Sequence, residues 1–270
     1  MRVTFLGTGT SHGVPMIGCD CPVCSSNDPK NQRTRASVLV EVDGVNLLID
    51  TTPDLRTQVL RENVCRVDAI LFTHAHADHI FGLDDVRRFN DISGKPMPCY
   101  GSPDTIRVIR QAFEYVFKPT QIGGGKPSLE LIEVNGPFTV SPCPQAPSFP
   151  QILNTQYSIS NEVVPVPIFH GDLPILGFRI GAFAYLTDCS AIPETSFDLL
   201  DGLDTLVLGV LRHEPHETHF SVGEGLAVVE RLHPRQTCFT HLTHRLDHES
   251  TNRSLGPHAQ LAYDGLTLRV

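Results

Sequence analysis

The chain has 270 residues, 40% hydrophobic and 19% charged, with 30 Asp and Glu against 21 Lys and Arg and a formal charge of −9. That composition suits a folded globular protein rather than a disordered or fibrous one, and the net negative charge disfavours extended nucleic acid as a partner, because phosphate backbones repel it. No apolar run approaches the ~18 residues of a membrane span, and Met1–Gly7 turns to glycine too soon for a secretory leader, so a cytoplasmic protein with reduced cysteines and no membrane partner is expected.

Arg2–Leu6 reads as a strand that runs into the glycine turn Gly7-Thr8-Gly9-Thr10. Residues 11–35 lack periodicity and are rich in Cys, Pro, Asn and Arg, the pattern of a long ordered loop that needs a staple. Ser37–Val42 and Val45–Asp50 flank Asp43-Gly44, a strong hairpin signal. A helix is expected over Thr57–Glu62 and a short strand over Ala69–Phe72. Ser102-Pro103-Asp104 starts a helix, with Ile106, Ile109, Phe113 and Val116 on one face to about Phe117. Gly123-Gly124-Gly125 is a loop, and residues 135–165 form a proline-rich irregular insertion. Val164–Phe169, Phe178–Leu186, Thr205–Leu211 and Thr237–Phe239 are further strands. Ser221 with Glu224 makes a capping box for a helix with Leu226, Val229 and Leu232 on one face. Strands and helices alternate without a clean parallel register, so mixed sheets covered by helices are expected. Neither an internal repeat nor a dividing linker is visible, which implies a single domain over residues 1–270.

Four short apolar strands each end at a metal-type ligand: Ala69–Phe72 before Thr73-His74, Val166–Phe169 before His170, Tyr185-Leu186-Thr187 before Asp188, and Thr237–Thr240 before His241. Strand ends of an α/β sheet collect along one rim, where binding sites form. The densest of the four is His74-Ala75-His76-Ala77-Asp78-His79, with three His and one Asp in six residues. Packing does not call for such a run. Imidazole and carboxylate suit a borderline cation that keeps a position open for water, and one loop could feed two adjacent sites. Separately, Cys19, Cys21 and Cys24 place three thiols in six residues, enough for a tetrahedral zinc site that lacks one ligand. His12, His233, His248 and His258 read as surface residues.

The motif His74-x-His76-x-Asp78-His79, followed in order by His170, Asp188 and His241, resembles the metallo-β-lactamase superfamily from Phe5-Leu6-Gly7 to Ala262-Tyr263-Asp264. The resemblance implies an α/β fold, a four-layer αββα sandwich with a dinuclear centre between mixed sheets. By its pattern His74, His76 and His170 hold one metal, Asp78, His79 and His241 the other, and Asp188 bridges them. The metals would be zinc, manganese or iron. The Cys trio resembles the PhnP branch, cyclic-phosphate phosphodiesterases in which a His three residues after the last catalytic His completes a structural zinc site; here that residue is His244. His219, in Pro215-His216-Glu217-Thr218-His219, matches the general-acid histidine of the phosphodiesterase branches, and Asp50 an aspartate that orients a metal-binding histidine.

Two cations ~3.5–4 Å apart can share a water, acidify it and clamp both the attacking and the leaving oxygen of a phosphodiester. The resemblance thus implies hydrolysis of a small cyclic phosphate or nucleotide-like ester by a metal-bridging hydroxide, with Asp78, Asp188 and His219 in the chemistry. Three alternatives remain: an RNase Z-like tRNA 3′-processing endonuclease, a non-catalytic metal-binding carrier in cofactor biosynthesis, and a thioester or lactam hydrolase. The acidic chain and the few Lys and Arg between His79 and His170 argue against the first. Relatives are commonly dimers, which makes a homodimer the assembly to test.

Overall fold

The computed structural model describes residues 1–119, 125–142 and 162–270. Among them, one seven-stranded sheet holds β1 (Arg2–Gly7), β2 (Ser37–Val42), β3 (Val45–Ile49), β4 (Ala69–Leu71), β5 (Met97–Gly101), β6 (Leu129–Glu133) and the last strand, β14 (Thr267–Arg269), in the order β14-β1-β2-β3-β4-β5-β6. The second seven-stranded sheet holds β7 (Phe138–Thr139), β8 (Glu162–His170), β9 (Leu173–Ile180), β10 (Phe183–Leu186), β11 (Thr205–Gly209), β12 (Gln236–Thr240) and β13 (Ala259–Leu261), in the order β13-β12-β11-β10-β9-β8-β7.

The sheets lie face to face. Side chains alternate along each strand: Val38, Val40, Leu47 and Ile49 of the first sheet meet Phe178, Ile180, Phe183 and Tyr185 of the second in the central layer. Leu39, Leu48 and Ile70 face outwards under α1 (Leu55–Arg61), α2 (Ala77–Ile80), α3 (Arg87–Ser93), α4 (Pro103–Ala112) and α5 (Glu114–Phe117). Ala184, Leu186, Leu208 and Phe239 face outwards under α6 (Glu194–Asp198), α7 (Val222–Leu232) and α8 (His248–Ser254). The result is the expected αββα sandwich. Strands buried on both faces are apolar at nearly every position, which made them legible in the sequence.

Both sheets run through one pairing pattern: three antiparallel pairings, then three parallel ones. Strand β3 therefore stands where β10 stands, and Asp50 after β3 where Asp188 follows soon after β10. The topology repeats although the sequence shows no repeat.

The hairpin at Asp43-Gly44 forms with both residues at positive φ, 46° and 78°. The capping box forms as read: Ser221 Oγ accepts from Glu224 N at 3.3 Å, and Glu224 Oε2 accepts from Ser221 N at 2.8 Å. Four expectations need correction. The strand expected over Phe178–Leu186 is two strands, because Gly181 at φ 54° reverses the chain between β9 and β10. The face α7 buries fully is Val222, Gly225 and Val228, with Leu226, Val229 and Leu232 at its margin. The helix expected to reach Phe117 breaks at Phe113. The insertion at 135–165 includes β7 and the start of β8, and its residues 143–161, with Gly123 and Gly124, lie outside the described residues.

Candidate metal centre

The carboxyl-terminal ends of β3, β4, β8, β10 and β12 meet along one rim. Side chains from both sheets converge there in four overlapping sets: His74, His76 and His170; His74, His79 and Asp188; Asp78, His79 and His241; and His170, Asp188 and His219. In each set the candidate ligand atoms lie within 4.8 Å of one another. All seven residues expected at a dinuclear centre are present, and His219 stands beside them. His170 is the last residue of β8 rather than the residue after the strand.

Backbone geometry aims three of these residues. Asp50, Asp188 and His241 adopt positive φ of 64°, 51° and 61°. For a non-glycine residue that conformation costs on the order of 1–2 kcal/mol, although Asp and His tolerate it better than most. Gly7 serves the same rim by closeness: a Cβ there would stand 2.0 Å from Arg35 O.

Hydrogen bonds assign the imidazole protons. Asp50 is fully buried; it accepts from Thr73 N at 2.9 Å and Thr73 Oγ1 at 2.8 Å, and from His79 Nδ1 at 2.8 Å. The Thr73 hydroxyl, having donated to Asp50, accepts from His74 Nδ1 at 3.0 Å. His170 Nδ1 donates to Thr218 O at 2.7 Å. Each of these rings thus keeps its Nε2 for the cluster.

The Nε2 atoms of His74, His79 and His241 are buried and point into the cluster. His79 Nε2 faces Asp188 Oδ2 at 2.9 Å and Asp78 Oδ2 at 3.3 Å, and His241 Nε2 faces Asp188 Oδ1 at 3.0 Å. Burial alone would discharge His79, but Asp188 and Asp50 outweigh it and hold its pKa well above the ordinary imidazole value. Burial also opposes charge on Asp188, yet His241 and His79 keep that carboxyl well below its usual range. Burial, with His79 close by, drives His74 far down. Imidazole nitrogens and carboxylates that crowd one another in a dry pocket, and that already favour positive charge at His79, suit cations, so the residues present fit divalent metal ions.

The cysteine loop makes a second cluster. Cys19, Cys21 and Cys24 Sγ lie 3.2, 3.4 and 3.6 Å from the one atom His244 Nδ1. One ring nitrogen cannot hydrogen-bond three sulfurs at once. The spacing approximates the ~3.6 Å edge of a tetrahedron with bonds of ~2.3 and ~2.1 Å. The Cys24 N–H donates to Cys21 Sγ at 3.4 Å and lowers that thiol to about 6, whereas burial raises Cys24 to about 11.

Three contributors escaped the sequence reading. Thr73 and the carbonyl of Thr218 fix ligand tautomers; the only signal was adjacency to His74 and His219. Arg33, 2% exposed, ties the cysteine-bearing loop to the segment around His244. It donates to Thr243 O at 2.7 Å and Leu246 O at 2.6 Å, while its backbone pairs with Val14. One correction applies: His248, expected at the surface, is 6% exposed.

The profile of the beta-lactamase superfamily domain matches residues 45–242. The crystal structure of a diphosphatase from the PhnP family is 44% identical, covering 100% of this chain and 97% of that one, with a TM-score of 0.86. Zinc-bound PqqB from Methylobacterium extorquens shares the fold at a TM-score of 0.75, with 20% identity and full coverage of both chains. An octanoyltransferase of Porphyromonas gingivalis is 35% identical over 271 residues, 98% of this chain but 51% of that protein, so the chain spans about half that relative's length.

Proposed function

The chain belongs to the β-lactamase superfamily, in its PhnP-like branch, and from that premise we propose that residues 1–270 act as one domain, a metal-dependent hydrolase of small phosphoric diesters, including those of diphosphates. The observation that carries the proposal is the convergence of buried imidazole nitrogens with Asp78 and Asp188, their candidate ligand atoms within 4.8 Å of one another in each set.

In this reading His74, His76 and His170 would hold one divalent ion and Asp78, His79 and His241 a second. Asp188 stands among both sets, and Cys19, Cys21, Cys24 and His244 would hold a structural zinc. When bound, the paired ions supply Lewis acidity that activates water and neutralises phosphate charge. The chain's own residues do the rest. Asp50 and Thr73 keep His79 and His74 in register. His219, its Nδ1 3.6 Å from Asp188 Oδ1, gives a proton to the departing oxygen. Burial and neighbouring His241 push His219 down to about 3, so it is neutral until an anion arrives. A phosphate beside it adds the negative charge that favours the protonated form. The PhnP-family diphosphatase, at 44% identity over nearly its whole length, supports a phosphorus substrate over a carboxylic one.

The test is turnover by purified protein with Mn²⁺ or Zn²⁺. Bis(p-nitrophenyl) phosphate and a diphosphate diester are the expected substrates, a fatty-acyl thioester and a precursor tRNA the competitors. Phosphoester cleavage supports the proposal. Thioester or tRNA cleavage without it, or metal uptake without any turnover, overturns it.

A further inference from the structure

The loop that delivers His219 also carries His213 and His216, and the ring centroid of His216 lies 5.3 Å from that of His219. The His219 ring is in turn 4.6 Å from His170 and 4.9 Å from His241. The imidazoles make a row that leads from the buried cluster to exposed His216.

The position of His216 is built, not incidental. The backbone N–H of Thr218 donates to His216 Nδ1 at 3.2 Å, and the same residue's carbonyl accepts from His170 Nδ1 at 2.7 Å. Residue Thr218 thus locks a candidate metal ligand on one side and His216 on the other. The base of the loop is tied by Leu211 N to Phe220 O at 2.8 Å and Val222 N to Arg212 O at 2.9 Å. Its flank packs on the β8–β9 turn so closely that a Cβ on Gly171 would meet Thr218 Cγ2 at 3.0 Å. An N–H group can only donate, so Nδ1 of His216 is an acceptor and the neutral ring carries its proton on Nε2. That Nε2–H has no hydrogen-bond partner among the described residues.

We infer that His216 is a specificity residue that donates from Nε2 to the non-bridging oxygen of a second phosphoryl group, on the leaving side of the scissile bond. The inference rests on the phosphohydrolase reading above and narrows its substrate to diphosphate diesters, R–O–PO₂–O–PO₂–O–R′. Water adds at the phosphorus nearer the metal-ligand cluster, the P–O–P bond breaks, and the leaving phosphate takes the bridging oxygen and a proton. The leaving phosphate carries charge for which a rim donor is suited; a p-nitrophenyl leaving group offers no such oxygen.

The experiment compares wild type, His216→Ala and His216→Gln on P1,P2-di(adenosine) diphosphate and on bis(p-nitrophenyl) phosphate, with metal content measured in each. The expected result is a fall in kcat/KM of about tenfold on the diphosphate for His216→Ala, the scale of one lost hydrogen bond. Less than twofold change is expected on the monophosphate diester, with unchanged metal. His216→Gln, whose amide can donate from a similar place, should recover part of the loss. Equal losses on both substrates would mean that His216 only supports the loop, and no loss on either that it has no role; both overturn the inference alone. A wild type inert towards every phosphoester would overturn the underlying reading as well.

Discussion

The two sheets share one order of pairings, yet they supply the centre differently. The first sheet gives His74, His76, Asp78 and His79 from the single segment after β4 that runs into α2, and Asp50 after β3. The second gives His170, Asp188 and His241 one at a time, from the ends of three different strands. Asp50 and Asp188 stand at corresponding strand ends, both at positive φ and both against His79, one on Nδ1 at 2.8 Å and the other on Nε2 at 2.9 Å. The same backbone device therefore serves two tasks. In the first sheet the aspartate is sealed behind the histidine and orients it; in the second it faces the cluster itself.

That division is open to direct attack. Asp188→Asn should have the largest effect, a loss of turnover on the order of 10³-fold or more together with loss of bound metal, since several kcal/mol of charge stabilisation go with it. His219→Ala should cost ~10²–10³-fold, the scale of a general acid, while elemental analysis finds the metals retained. Asp50→Asn should cost ~10–100-fold in metal affinity or activity, the range for groups that orient a ligand; a loss as large as that of Asp188→Asn would erase the distinction between the two aspartates. Cys24→Ser should have the smallest effect on turnover, within about threefold once metals are saturating. It should still lower the Tm by on the order of 10 °C, because a metal held by this loop would contribute to folding. A Tm unchanged in Cys24→Ser and unmoved by chelators would remove the staple.

The same contrast explains what the sequence disclosed. The segment at 74–79 is legible because six consecutive residues carry four candidate ligands, a density no packing demand produces. His170, Asp188 and His241 are each an ordinary residue at an ordinary strand end, and only their order after the dense motif marks them. Thr73 and the Thr218 carbonyl act through hydrogen bonds that depend on folded geometry, so nothing local announces them. Arg33 looks like one more polar residue in a loop until its guanidinium is found buried among carbonyls. In the fold, the doubly buried strands were readable from their apolar runs. Short strands such as β13 and β14, and the break at Gly181, depend on tertiary pairing, which residue pattern alone does not encode.

The most direct test of the centre is a crystal structure of metal-loaded protein with anomalous data at the zinc and manganese edges. Two peaks within the His and Asp cluster, with Asp188 in contact with both, and a third peak among Cys19, Cys21, Cys24 and His244, are the result expected. A peak at the thiols alone, or His170 and Asp188 turned away from the 74–79 loop, would contradict the account.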